Sequence, residues 1–132
     1  MRYMKVIIAG SRNIIDYDLV VEAITKSKFK IGTVVSGHAR GVDLLGEKWA
    51  NLNQIPRDLY PADWDTHGKK AGFLRNAVMA DYADALIAVW DGESKGTKDM
   101  IDRMCAKKKP VFVFGVRKQR AKPIGLEVFT DL

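Results

Sequence analysis

A chain of 132 residues has room for one compact domain around one core, which excludes a second domain. Hydrophobic residues at 47% and charged residues at 29% exclude a disordered or low-complexity chain. Lysine and arginine number 22 against 16 acidic residues, and the resulting +6 favours anionic partners without choosing among nucleotides, phosphates and nucleic acid.

The longest apolar runs, Val6 to Ala9 and Ala85 to Trp90, fall far short of the ~20 residues of a membrane helix. With no signal-peptide pattern at the N-terminus, a cytoplasmic protein is expected, with no membrane partner. Cys105 is the only cysteine, which excludes an internal disulfide, and its place beside Ile101 predicts a buried small hydrophobe.

Met4 to Ala9 (MKVIIA) reads as a buried strand that ends at Gly10-Ser11. Asp16 is a natural N-cap for a helix burying Leu19, Val20, Ala23 and Ile24. Thr33 to Ser36 gives a second strand, and Gly41 opens a helix with Val42, Leu45, Trp49 and Leu52 at helical spacing. Arg57 to Tyr60 is a weak third strand stopped by Pro61, and Pro61 to Gly68 reads as a surface loop. A helix over about Lys69 to Tyr82 is expected to bury Phe73, Ala77 and Ala80. Ala85 to Trp90 is a strong strand, and Asp91-Gly92 leads to a helix with Met100, Ile101, Met104 and Cys105 inward. Lys107 to Lys109 complements the end of that helix, and Val111 to Phe114 is the last strand. Trp49 and Trp90 belong to the core or an interface.

Five strands alternating with four helices predict an α/β fold: a single three-layer Rossmann-like domain with a mainly parallel five-stranded sheet. The domain is expected over residues 1–115, with 116–132 a basic C-terminal tail packed on it or extending from it.

Ligands of such sheets bind beyond the carboxyl ends of the strands, where the unusual residues fall. They are Gly10-Ser11-Arg12, the segment Ser36 to Asp43 and the segment Asp91 to Thr97. Gly37, Gly41, Gly92 and Gly96 punctuate turns that run into helix N-termini, whose free N–H groups favour a phosphate. Arg12, Arg40, Arg75 and Lys95 supply positive charge. Ser11 and Thr97 offer hydroxyls or cap their helices, and Asp43 accepts from ribose hydroxyls or pairs with Arg40. Trp64 is a base-stacking platform or a plug that pins its loop. Neither turn is a Walker A loop or a G-x-G-x-x-G fingerprint, which argues against an ATPase and a standard dinucleotide site. His38 and His67 lack metal-ligand spacing, so neither metal nor cofactor is expected, and His38 is counted with the ligand-binding residues.

The segments IIAGSR, VVSGHARGVD, PADWDTHGKKAGFLRN, ALIAVWDGESKGTKDMI and KPVFVF resemble the YspA-type, YpsA-related SLOG family. This family lies within a Rossmann-like superfamily that includes the DNA-processing protein DprA/Smf and the LONELY GUY (LOG) phosphoribohydrolases. The resemblance implies a nucleotide or nucleotide-derived ligand. SGHARGVD is similar to a segment of DprA on its nucleic-acid-binding domain. The LOG motifs R-K-x-x-M and P-G-G-x-G-T-x-x-E, which support cleavage of a nucleotide N-glycosidic bond, are echoed by Arg75 to Met79 and by Gly92 to Met100. Asn76 stands where LOG has lysine, and Met100 where it has the glutamate.

The resemblance thus implies Arg75 as a catalytic, phosphate-clamping residue, and Asp99 and Glu93, or else Asp91 or Asp43, as candidate carboxylates in place of the missing glutamate, with Asn76 in the ligand site. Three functions stay open. They are a nucleoside-monophosphate N-glycosidase-like hydrolase, a non-catalytic nucleotide sensor, and a single-stranded DNA-binding protein using Lys107 to Lys109, Arg117, Lys118, Arg120 and Lys122. A homo-oligomer formed through an apolar helix face, such as that bearing Trp49 or Phe73, is also expected.

Overall fold

The computed structural model describes residues 2–117. Five strands, β1 (Met4–Gly10), β2 (Ile31–Ser36), β3 (Arg57–Leu59), β4 (Ala85–Trp90) and β5 (Val111–Gly115), form an all-parallel sheet in the order β3-β2-β1-β4-β5. The main helices are α1 (Tyr17–Ser27), α2 (Val42–Leu52), α4 (Ala71–Tyr82) and α5 (Lys95–Ala106). A single helical turn, α3 (Trp64–His67), and a 3-10 turn at Gly68–Lys70 occupy the stretch expected to be an irregular loop. Asp63 nucleates α3 by accepting from the Thr66 amide at 3.2 Å.

Strand periodicity sorts the core into two layers. Val6 and Ile8 of β1, with Ala85, Ile87 and Val89 of β4, pack against α1 and α2 through Leu19, Val20, Val42 and Ala50. The alternate residues Ile7, Ala9, Leu86 and Ala88 face α4 and α5 and meet Met79, Ala80, Met100 and Met104. Both faces of the central strands are buried, so these strands read as unbroken apolar runs. The fold is the expected single α/β Rossmann-like domain.

Four local expectations are corrected. Phe73 is 42% exposed because α4 turns Ala71, Asn76, Met79 and Ala80 inward instead. Cys105 is exposed, because α5 buries Thr97, Met100 and Met104, a stripe that leaves position 105 outside. Leu52 is exposed at the end of α2. Lys109 caps α4 rather than α5: its Nζ donates to the carbonyls of Ala80, Asp81 and Ala83 at 2.7, 3.1 and 2.8 Å. Those carbonyls end a helix with no basic residue in its own last turn.

Trp49 and Trp90 are half-buried. Val116 is buried in the α1/α2 layer, its amide bonded to the Trp90 carbonyl at 2.8 Å. The rest of the expected basic tail, Arg117 excepted, lies outside the described residues. No helix among the described residues is long and apolar enough to cross a membrane.

Candidate functional site

The strand order reverses between β1 and β4, and at the carboxyl ends of the strands there the turns after β1 and β4 splay apart. A cleft of about 310 Å³ opens at this point, floored by Ala9, Gly10, Met79 and Met100. Arg12, Asp43, Trp64, Arg75 and the segment Ser94 to Thr97 form its walls.

Arg75 reaches the cleft from α4 and is fixed by backbone rather than by a carboxylate. Its Nη1 donates to the Gly37 carbonyl at 2.6 Å and the Tyr60 carbonyl at 3.2 Å, and its Nε to Asn76 Oδ1 at 3.0 Å. Nη2 has no hydrogen-bond partner among the described residues. Gly37 is required for this reach, because a methyl group there would stand 2.5 Å from Nη1. Burial and the nearby Arg12 charge pull the Arg75 pKa below its ordinary value, while Asp43 opposes them.

Asn76 spends its side chain on structure. Nδ2 donates to the Gly96 carbonyl at 3.2 Å and to Asp99 Oδ2 at 3.1 Å, tying α4 to α5 and holding Arg75 in place. Asp99 is also paired with Arg103 at 2.8 Å and is not among the residues lining the cleft. Glu93 lies in an adjoining shallow concavity with Ser11, Arg12 and Arg40. The carboxylate that does line the cleft is Asp43, 6% exposed in the first turn of α2. Burial pushes its pKa up to about 6, although the Ala39 amide at 3.2 Å and the charges of Arg75 and Arg12 work in the other direction.

α5 presents its N-terminus to the cleft. Ser94 caps it by accepting from the Thr97 amide at 3.3 Å, and the two hydroxyls lie 2.9 Å apart. The Lys95 and Gly96 amides, at the start of the helix, have no acceptor among the described residues, and the space beside Gly96 Cα is empty to 4 Å. Trp64 also lines the cleft and stands 48% exposed, with the Arg12 guanidinium over its ring at 5.7 Å from the centre, so it is not a buried plug.

The remaining expected residues build the rim. Ser11, almost wholly buried, accepts from the Asp91 amide at 3.1 Å through Oγ and from the Val42 amide at 3.4 Å through its carbonyl, joining three turns. Gly41 holds φ +79° as the N-cap of α2, with the carbonyls of Ser11 and Arg12 too close for any side chain. Gly92 lies in the β4–α5 turn and does not line the cleft. Arg40 is exposed and lies outside the main cleft, in a neighbouring lobe with His38. The structure therefore brings Arg12, Arg75 and Lys95 together and sets Arg40 to one side.

Two groups escaped the sequence reading. Lys69, in the 3-10 turn before α4, and Phe73 line the cleft, and the spacing of Phe73 with Asn76 on one face of α4 was the available signal. Glu47, 5% exposed, sits one turn after Asp43 and is bonded to Ser36 Oγ at 2.7 Å and His38 Nδ1 at 2.9 Å. Nothing in the local pattern marks it as buried.

Comparison with known proteins agrees with this architecture. Residues 4–67 match the family described as YspA, cpYpsA-related SLOG. Gene 61 protein of Mycobacterium phage D29 is 36% identical over an alignment 122 residues long that covers 84% of this chain and 96% of that protein. No solved structure matches the chain. The match over β1 to α3, together with the phage relative covering the cleft-forming helices as well, shows that the chain belongs to the YspA, cpYpsA-related SLOG family.

Proposed function

We propose that the chain binds a nucleotide or nucleotide-derived phosphorylated ligand in this cleft. The observation that carries the reading is the convergence of Arg12, Lys69, Arg75 and Lys95 on a cleft whose lining holds one carboxylate. None of these four cations has an ion-pair partner among the described residues. A guanidinium fixed by carbonyls, with one nitrogen unbonded, is suited to a phosphate, and so are the Lys95 and Gly96 amides at the start of α5, which the Ser94 cap leaves without an acceptor. Trp64 supplies a face for a base, and Asp43 an acceptor for a ribose hydroxyl.

Calorimetric titration with nucleoside 5′-monophosphates and the matching nucleosides tests this. The monophosphate should bind and the nucleoside much more weakly. Arg75→Lys should lose about tenfold in affinity for the monophosphate, because lysine cannot reproduce the planar fork. Equal binding of nucleoside and monophosphate, or of neither, overturns the reading.

Asp43 also favours turnover at the N-glycosidic bond as a second reading. Met100 is buried in the floor, so the position of the absent glutamate offers no carboxylate. With a pKa near neutrality, Asp43 can stabilise oxocarbenium character at the sugar and take the proton of the attacking water as the base departs with the bonding electron pair. Release of free base from a bound monophosphate, lost in Asp43→Asn, is the expected result. Tight binding without release makes the chain a sensor.

A further inference from the structure

His38 and its surroundings form a second lobe of the cleft, about 370 Å³ in volume, that continues the first across Arg12, Trp64 and Arg75. Its lining differs from that of the first lobe in kind. It contains Arg12, His38, Arg40 and Arg75 and no carboxylate.

The His38 side chain is held in a defined orientation. Nδ1 lies 2.9 and 3.1 Å from the two oxygens of the buried Glu47, and Glu47 is itself braced by Ser36 Oγ at 2.7 Å and by Arg57 at 3.7 Å. Nδ1 donates to Glu47, and the imidazole remains 47% exposed, so Nε2 is the ring nitrogen turned to the lobe, where it meets an acidic phosphoryl group only by taking up a proton of its own. The backbone at His38 has φ +61°, a conformation that disfavours a residue with a Cβ. A strained backbone bearing a braced, half-exposed imidazole beside two arginines is the kind of local cost that persists at a binding site. Glu47 does not need the imidazole for its own satisfaction, since Ser36 and Arg57 already serve it.

We propose that this second lobe receives a second phosphoryl group of the ligand, held by Arg40 and by His38, which takes up a proton at Nε2 as the ligand binds and donates it to a phosphoryl oxygen, so that the chain selects nucleoside diphosphates over monophosphates. The proposal rests on the nucleotide reading and narrows its ligand class. In the bound arrangement one phosphoryl group lies against Arg75 and the start of α5, and the next extends past Arg12 toward His38. The Arg12 guanidinium, which lines both lobes, bridges them.

The test is calorimetric titration at pH 7 with adenosine and guanosine 5′-mono- and diphosphates, on the wild type, His38→Asn and Arg40→Gln, with Tm recorded for each. Wild type should bind at least one diphosphate about tenfold or more tighter than its monophosphate. His38→Asn, whose side chain tolerates a positive φ, should keep or raise Tm while the diphosphate-to-monophosphate ratio falls toward one. Arg40→Gln should lower the same ratio. A wild-type ratio near one, or a ratio unchanged in both variants, overturns the second lobe and leaves the nucleotide reading standing. Binding of none of the four nucleotides overturns both.

Discussion

The two apolar layers on the faces of the sheet and the rim at the carboxyl ends of its strands differ in what they bury. The buried members of the layers are aliphatic side chains, with Phe114 and three methionines. Among the described residues the six buried polar or charged ones, Ser11, Ser36, Asp43, Glu47, Asn76 and Thr97, lie at the end of β2 or in the turns and helices that build the rim. Stability therefore comes from the layers. The rim carries costs that a fold selected for stability alone would avoid, including a buried carboxyl and a histidine at positive φ. The difference teaches that truncating a layer side chain costs stability, whereas removing a group the rim holds at a cost gains it.

The largest effect is expected in a layer. Ile87→Ala, in a wholly buried position of β4, should lower stability by about 2–5 kcal/mol in chemical denaturation, from lost transfer energy and the cavity left behind. A loss below about 1 kcal/mol would break the contrast between layer and rim.

Asp43→Asn should act in the opposite sense. A carboxyl whose pKa rises from 3.8 in the unfolded chain to about 6 in the fold binds more protons when folded, so its ionisation opposes folding as pH rises through that window. At pH 8 the cost is about 3 kcal/mol, and below pH ~4 it vanishes. Denaturation of the variant should show a gain of up to that size at pH 8, fading toward pH 4, together with weaker nucleotide binding. A pH-independent difference would show that Asp43 is not held against its ionisation.

The smallest effect sharpens the comparison within the rim itself. Ser94→Ala removes the cap of α5 and should cost about 1 kcal/mol. That residue supports the cleft without carrying charge, so the loss should appear in Tm with a smaller change in affinity than Arg75→Lys produces.

The legible parts of the molecule share a physical character. β4 was readable to its ends, because an apolar run between Asp84 and the Asp91-Gly92 turn is a local signal. The N-caps Asp16 and Gly41 were readable for the same reason. Phe73 was misread because helical spacing shows which residues share a face and leaves open which face the sheet will cover. Asn76 was assigned to the ligand because of the motif around it; it lines the cleft, but its bonds to Gly96, Asp99 and Arg75 were not legible in that motif.

By itself the sequence determined the α/β class, the strands and helices, the edge at which the glycine turns gather and the family resemblance. All of these depend on patterns within about a dozen residues or on motifs quoted whole. Only the tertiary structure decided the chemistry of the rim. It set Arg75 on the carbonyl of Gly37, 38 residues away, and Asn76 on Asp99, 23 residues away. It buried Asp43 and Glu47 and turned Trp64 outward. The physical reason is that burial and hydrogen-bond partners arise when separate elements meet, and neither periodicity nor residue type specifies which groups a helix will find across the sheet.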